Sequence, residues 1–319
     1  MPPVAGSPTR RPGSVRRTSS VDIVRPEGLL GPLVLAGSGR DLRTDDCGHG
    51  EVVDRANTEV VIDFIGNRLI TSVAASPEVE GLARLIGVRA GSGFRRQLSE
   101  LLPDVVTTGS LVHLLLDEVP PATLISGSAL VRAGLIQVAP GGDTSRLPLG
   151  ICSGWRAGGE MQRAIDETGI PLLGWGPPAP SLSSDDRLAW HEMDELLAGS
   201  MRRCRRIDLW REGEFVHSDV RYRDTYWGDD GTETVVHEYG VTARFERASW
   251  SVASIDAVPG PLPAPECPGA VASIQRIVGL EPGELRAFVR ESMVGVPTCT
   301  HLNDVVRSLA DVAALARHL

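Results

Sequence analysis

The sequence predicts an α+β fold of two tandem repeats, each an antiparallel sheet followed by about three helices, packed with pseudo-two-fold symmetry. Three observations carry this expectation. Two stretches of the chain can be laid on one another in order. Val15-Arg16-Arg17 falls on Met201-Arg202-Arg203, Arg40-Asp41 on Arg223-Asp224 and Val52-Val53 on Val235-Val236; Leu85 to Val88 falls on Ile277 to Leu280, and His113-Leu114 on His301-Leu302. The offset drifts by only a few residues, as changes in loop length cause. The first half of each stretch alternates apolar and polar residues with period two, and the second half repeats apolar residues at helical spacing.

The elements follow in chain order. Residues 1–14 read as a disordered leader, because Pro2, Pro3, Pro8 and Pro12 punctuate it and no apolar stretch follows its arginines. In the first repeat, residues 15–130, Glu59 to Phe64 and Arg68 to Val73 carry strand patterns, and a helix begins near His113 and breaks around Pro120-Pro121. Residues 131–200 form a linker rich in glycine and proline, with short helices expected over Gly159 to Glu167 and around Ala189 to Leu197. In the second repeat, residues 201–319, Glu233 to Tyr239 and Val241 to Glu246 read as strands, expected to pair antiparallel with their neighbours. A helix follows with Val271, Ile274, Ile277 and Val278 on one face and Gly279 as its stop. Pro282 suits the first turn of the next, whose face is Leu285, Phe288, Val289 and Met293. The last runs from about His301 to the end along Leu302, Val305, Val306, Leu309, Val312 and Ala316.

Charge and composition exclude whole classes of function. The net charge is −9, and all 32 basic residues are arginine. Without lysine there is no Schiff-base chemistry and no phosphate-loop lysine, so a cationic group in a site must be arginine, histidine or a metal. The acidic balance and the low aromatic content argue against nucleic acid as a partner. No apolar run approaching the ~18 residues of a membrane helix is expected. Five cysteines, an odd number, with no export signal predict free thiols in the cytoplasm.

Several residue groups could carry chemistry. In the strand containing His237-Glu238-Tyr239, alternation puts His237 and Tyr239 on one face and Glu238 on the other. His237 is the expected base, Glu238 or Asp224 its partner, and Arg223 a clamp for a carboxylate. Cys299 and His301, at the start of the last helix, form a second candidate centre, since helix N-termini stabilise thiolates. All six tryptophans follow residue 150 and all three tyrosines lie in the second repeat, which points to an aromatic-lined pocket using Trp155, Trp227 and Tyr239. His191-Glu192 lacks the second histidine of a zinc helix and reads as helix surface. No cofactor or metal is expected in the leading reading. The alternative is a metal set of Cys267, Cys299 and His301.

The run Glu266-Cys267-Pro268-Gly269-Ala270, then Gly279-Leu280, then Cys299-Thr300-His301-Leu302, resembles the end of bacterial DUF2889 proteins, and Arg25-Pro26-Glu27-Gly28 with Arg40-Asp41 resembles that family's opening. The first repeat departs from the pattern: Leu111-Val112-His113-Leu114 keeps the histidine and loses the cysteine. The resemblance implies a fold unit and no reaction, since the family's function is unassigned. A looser similarity, to iron–sulfur scaffold proteins, rests on Cys267 and Cys299 beside a helix and lacks a third thiolate. The expected activity is cofactor-independent acid–base catalysis in bacterial catabolism, of lyase, hydrolase or isomerase type, on a small, partly apolar organic acid or carbonyl compound. The alternatives are a metal- or iron–sulfur-binding accessory protein and a non-catalytic binding protein for a hydrophobic small molecule.

Overall fold

The structure is a computed structural model, and it describes residues 1–135, 147–172 and 176–319. Eight strands form a single antiparallel sheet. The strands are β1 (Ser14–Val24), β2 (Leu33–Thr44), β3 (Gly50–Asp63), β4 (Leu69–Ser76), β5 (Met201–Glu212), β6 (Phe215–Trp227), β7 (Glu233–Glu246) and β8 (Val252–Pro259). Their spatial order is β4-β3-β2-β1-β5-β6-β7-β8, so β1 and β5 meet at the centre and each half of the chain contributes one wing. The central register runs from Ser14 opposite Trp210 to Ile23 opposite Met201.

Alternation sets which side chains face the helices. In β3, Ala56, Val60 and Ile62 are buried while Arg55, Asn57 and Glu59 are exposed; in β7, Val241, Ala243 and Phe245 alternate with exposed Thr242, Arg244 and Glu246. Glu233 to Glu246 is one continuous strand, where the sequence suggested two. Gly240 stays in the strand opposite Arg221.

On the inner face of the first wing lie α1 (Phe94–Leu101), α2 (Pro103–Thr107), α3 (Leu111–Asp117), α4 (Val119–Ile125) and α5 (Gly127–Arg132). Pro120 and Pro121 sit in the first turn of α4, where a missing N–H costs nothing, and the helical run bends there. Leu111–Arg132 as a whole reaches the length and mean hydropathy of a membrane span, contrary to the sequence expectation. Most of it is buried within the fold, where Leu115, Leu116, Val119 and Ala122 pack on Leu35 and Val60. The linker carries α6 (Glu160–Thr168). The second wing is covered by a 3₁₀ helix (Cys267–Ile277), α7 (Pro282–Ser292), α8 (Thr300–Ser308) and α9 (Val312–Leu315). Gly279, at φ +89°, ends the 3₁₀ segment's loop as expected, but Val278 is exposed and does not share the buried face of Ile274 and Ile277.

The opposite face of the sheet is where the sequence reading needs correction. Ala189 to Leu197 is not a helix. Its backbone lies extended across buried arginines: Leu188 O accepts from Arg40, Ala189 O from Arg16 and Asp194 O from Arg202. A helix would spend those carbonyls on its own N–H groups. His191 is accordingly buried, bridging the hydroxyls of Ser20 and Thr18 at 2.9 Å each, and not on a helix surface. The leader is tied down as well. Val4 N donates to Glu238, Trp190 Nε1 to Ser7 Oγ, and Arg10 pairs with Asp186.

Candidate functional site

The β6–β7 register sets Asp224 opposite His237, Tyr222 opposite Tyr239, and Arg223 opposite Glu238. Period-two alternation therefore sends Tyr222, Asp224, His237 and Tyr239 to the helix-covered face and Arg223 with Glu238 to the other. α8 adds His301. Cys299 precedes that helix in an extended conformation, so His301 falls in its first turn and its ring drops onto the sheet.

There His301 stacks on His237, ring centroids 3.6 Å apart and planes inclined by 23°. His237 Nδ1 lies 3.2 Å from Asp224 Oδ2, and His301 Nε2 lies 3.9 Å from the same oxygen. Asp224 is fully buried and held from three sides: Arg203 forks onto both oxygens at 2.8 and 3.1 Å, and Tyr222 donates to Oδ2 at 2.6 Å. Burial opposes its charge, but Arg203 and the His237 hydrogen bond outweigh burial and hold the carboxyl well below the usual range. His301 is pushed well below the usual imidazole value, first by burial and then by the neighbouring His237, so it is neutral at pH 7. Both rings keep a solvent-touching edge, with side-chain exposures of 10% for His237 and 13% for His301.

Cys299 Sγ lies 4.0 Å from His301 Nδ1. The helix start does supply favourable N–H groups, but burial dominates and pushes the thiol up to about 11. Cys267 is raised to about 12 by the same cause, and Cys152 is raised too. These are protonated thiols, which corrects the expectation of an activated thiolate. Tyr239 is buried beside Cys299, without a conventional hydrogen bond for its hydroxyl.

The sheet divides the remaining expected residues. Arg223 cannot clamp a ligand at His237, because it lies on the far face with every arm committed: to Glu238 Oε2 at 2.5 Å, to Pro180 O and to Val4 O. Glu238 is wholly buried between Arg223 and Arg221 and is no partner for His237. Trp227 lies beneath the Arg202 guanidinium, also on the far face, and Trp155 packs with Met161, Ile165 and Cys267. The expected aromatic pocket therefore does not gather around His237, and Trp175 lies outside the described residues.

Among the described residues, one group brings three ligand-type atoms within 4.8 Å of one another: Asp224, His237 and His301. The set of Cys267, Cys299 and His301 does not close to that spacing. A metal lies in the plane of each imidazole it binds at about 2.1 Å, whereas planes stacked as these are meet only roughly 8 Å away. Metal binding here needs a ring to rotate. As placed, the histidines suit proton transfer.

Arg203 and Tyr222 were not singled out as site residues. A signal for the first existed, since Arg17 and Arg203 recur in the two stretches. They take matching partners, Arg17 forking onto Asp41 as Arg203 does onto Asp224. No curated protein and no solved structure matches the chain. The model of DUF2889, described as a protein of unknown function, matches residues 201–315, the span from β5 to α9. Over that segment the chain is similar to the DUF2889 family.

Proposed function

We propose that the second half of the molecule carries out cofactor-independent acid–base chemistry on a small, partly apolar organic acid or carbonyl compound, as a bacterial catabolic enzyme. His237 is the base, Asp224 the group that orients it, and His301 a neutral second imidazole that passes or accepts a proton. The observation that carries this reading is the stacked pair itself, one ring anchored to a buried carboxylate and both rings with an open edge. A carboxylate on Nδ1 fixes the tautomer and the ring's orientation, which general-base work requires.

The test is carbon–hydrogen exchange in deuterated water, followed by NMR across a panel of short carboxylic and 2-oxo acids. Exchange that disappears in His237→Gln and survives in His217→Gln is the expected result. Binding without exchange would turn the reading to a non-catalytic ligand-binding protein. Stoichiometric metal in the purified chain, lost in His301→Ala, would turn it to a metal-binding reading at Asp224, His237 and His301, with one ring rotated.

We also infer that the two wings are copies of one unit. The central register supports this. Residues that sum to 224 face one another, and the 186-residue offset between Arg16 and Arg202 carries each pair onto its mirror. Arg16 pairs with Asp208 and Arg202 with Asp22, the same contact counted from each half. The first copy keeps Arg17, Asp41 and His113, but Asp54 stands opposite Asp41 where His237 stands opposite Asp224. The imidazole pair, and with it the proposed chemistry, belongs to the second copy.

A further inference from the structure

A cavity of about 580 Å³ opens between the helices of the two halves, and neither His237 nor His301 lines it. Its wall is rich in guanidinium groups. Arg95, Arg286, Arg290, Arg307 and Arg317 face it, against one lining carboxylate, Asp117. The inner arginines are fixed: Arg307 forks onto Asp117, Arg95 bridges Asp117 and Asp304, and Arg286 pairs with Asp311. The outer two are exposed. Arg290 pairs with the exposed Glu291, and Arg317 donates to the carbonyls of Ala314 and Thr108, with no carboxylate partner among the described residues. Between them the wall is apolar, through Val106, Ala287, Ala310 and Ala314. Four carboxylates, Asp117, Asp304, Asp311 and Glu291, answer four of these five arginines, which leaves Arg317 at the mouth as the uncompensated cation.

A second, independent feature points the same way. His113 lines the cavity, is 1% exposed, and leaves Nδ1 buried without a hydrogen-bond partner. Such atoms are rare in folded proteins and mark places where a ligand or water completes the structure.

We propose that this cavity is a binding site for a small organic anion, a carboxylate or phosphate monoester carried on a short apolar body. The anionic head is held by the guanidinium forks of Arg317 and Arg290 at the mouth and Arg286 behind them, a geometry matched to carboxylate and phosphate oxygens. The apolar body lies on the alanines, and His113 Nδ1 supplies one directional hydrogen bond. Burial holds His113 down to about 4, so at neutral pH it binds as a neutral imidazole. The site stands whether or not the Asp224–His237 pair is catalytic.

Isothermal titration of the full chain with acetate, butyrate, succinate and inorganic phosphate tests it. One site per chain is expected, with butyrate tighter than acetate. Binding should weaken about tenfold or more in the double variant Arg290→Ala/Arg317→Ala and be unchanged in Arg244→Ala, an exposed arginine on β7. Carboxylate-only or phosphate-only binding identifies the head group, and either keeps the site. His113→Gln, with its melting temperature recorded, should also weaken binding. Both mouth residues are exposed, so the double variant is expected to fold, and its circular dichroism checks this. No binding of any of the four anions up to about 10 mM, or equal binding by the double variant and Arg244→Ala, would overturn the proposal.

Discussion

At the scale of residues, the chain's lack of lysine becomes a structural property. Five of the buried cations are forks: Arg17 on Asp41, Arg203 on Asp224, Arg307 on Asp117, Arg16 on Asp208 and Arg202 on Asp22, with the arginines at or near full burial. A compact ammonium could not satisfy two carboxylate oxygens in that planar geometry. Removing one partner strands the other. Asp224→Asn should therefore destabilise the protein by about 3–5 kcal/mol in urea unfolding, and the double variant Asp224→Asn/Arg203→Met should recover part of that loss. Histidines set the acid limit. Folding takes His113 and His191 from the ordinary 6.5 to about 4, mainly through burial, and pushes His301 well down for the same reason. Between those values the unfolded chain holds more protons, so stability falls as pH falls from about 6.5 toward 4. Urea midpoints measured at pH 7, 6 and 5 should fall in that order, and His191→Gln should flatten the slope. At this scale Asp224, His237, His301 and Cys299 were each singled out in the sequence, but as two separate centres; the stacking of His301 on His237 depends on how α8 lies on the sheet, which local sequence does not show. Arg223 was expected to clamp a ligand carboxylate beside Asp224, but adjacent strand residues point to opposite faces, and Arg223 lies with Glu238 on the far one.

At the scale of elements, the strands were legible because one face is buried and the other wet, as in β3 and the end of β7. The segments that failed are those without a period of their own. Leu188 to Leu197 and the first 13 residues take their course from the sheet's arginines, which capture the carbonyls of Leu188, Ala189 and Val4 across 148, 173 and 219 positions of sequence, and that of Asp194 across eight. A local reading of propensity cannot see such partners. The prediction that belongs here concerns the N-terminal segment. Deleting residues 1–9 removes the Val4 contacts to Glu238 and Arg223 and the Ser7 contact to Trp190. The Gly6 bond to Ser181 O, the Ser7 bond to Leu182 O and the Arg16 bond to Pro8 O go too, and six hydrogen bonds at about 1 kcal/mol each should lower stability by roughly 3–6 kcal/mol. The melting temperature should drop, and the tryptophan emission should shift to the red as Trp190 meets water. An unchanged melting temperature would show that the strap contributes nothing.

At the scale of the whole molecule, the two halves are joined by more than the β1–β5 ladder. Arg17 reaches Asp311, Arg95 reaches Asp304, Arg203 reaches Glu118 and Arg307 reaches Asp117, so each half supplies the counter-charges of the other. These ion pairs are deeply buried, where an unpaired member is strongly destabilising. Fragment 147–319, cut from 1–135, would carry the family unit and the proposed acid–base site, yet it would leave β5 as an open edge strand and Asp304 and Asp311 short of their arginines. Pairing with a second copy of itself in the native register would set Arg205 against Arg205 at the centre, where the intact chain sets Ser19 against Arg205. Like charges directly opposite are unfavourable. The fragment should therefore remain unfolded or aggregate alone, and fold when 1–135 is supplied in trans, as read by co-purification and by recovery of a single cooperative melt. A stable, monomeric 147–319 with a cooperative melt of its own would show that the cross-half ion pairs are dispensable, and that the first half is an appendage to the family unit instead of its necessary partner.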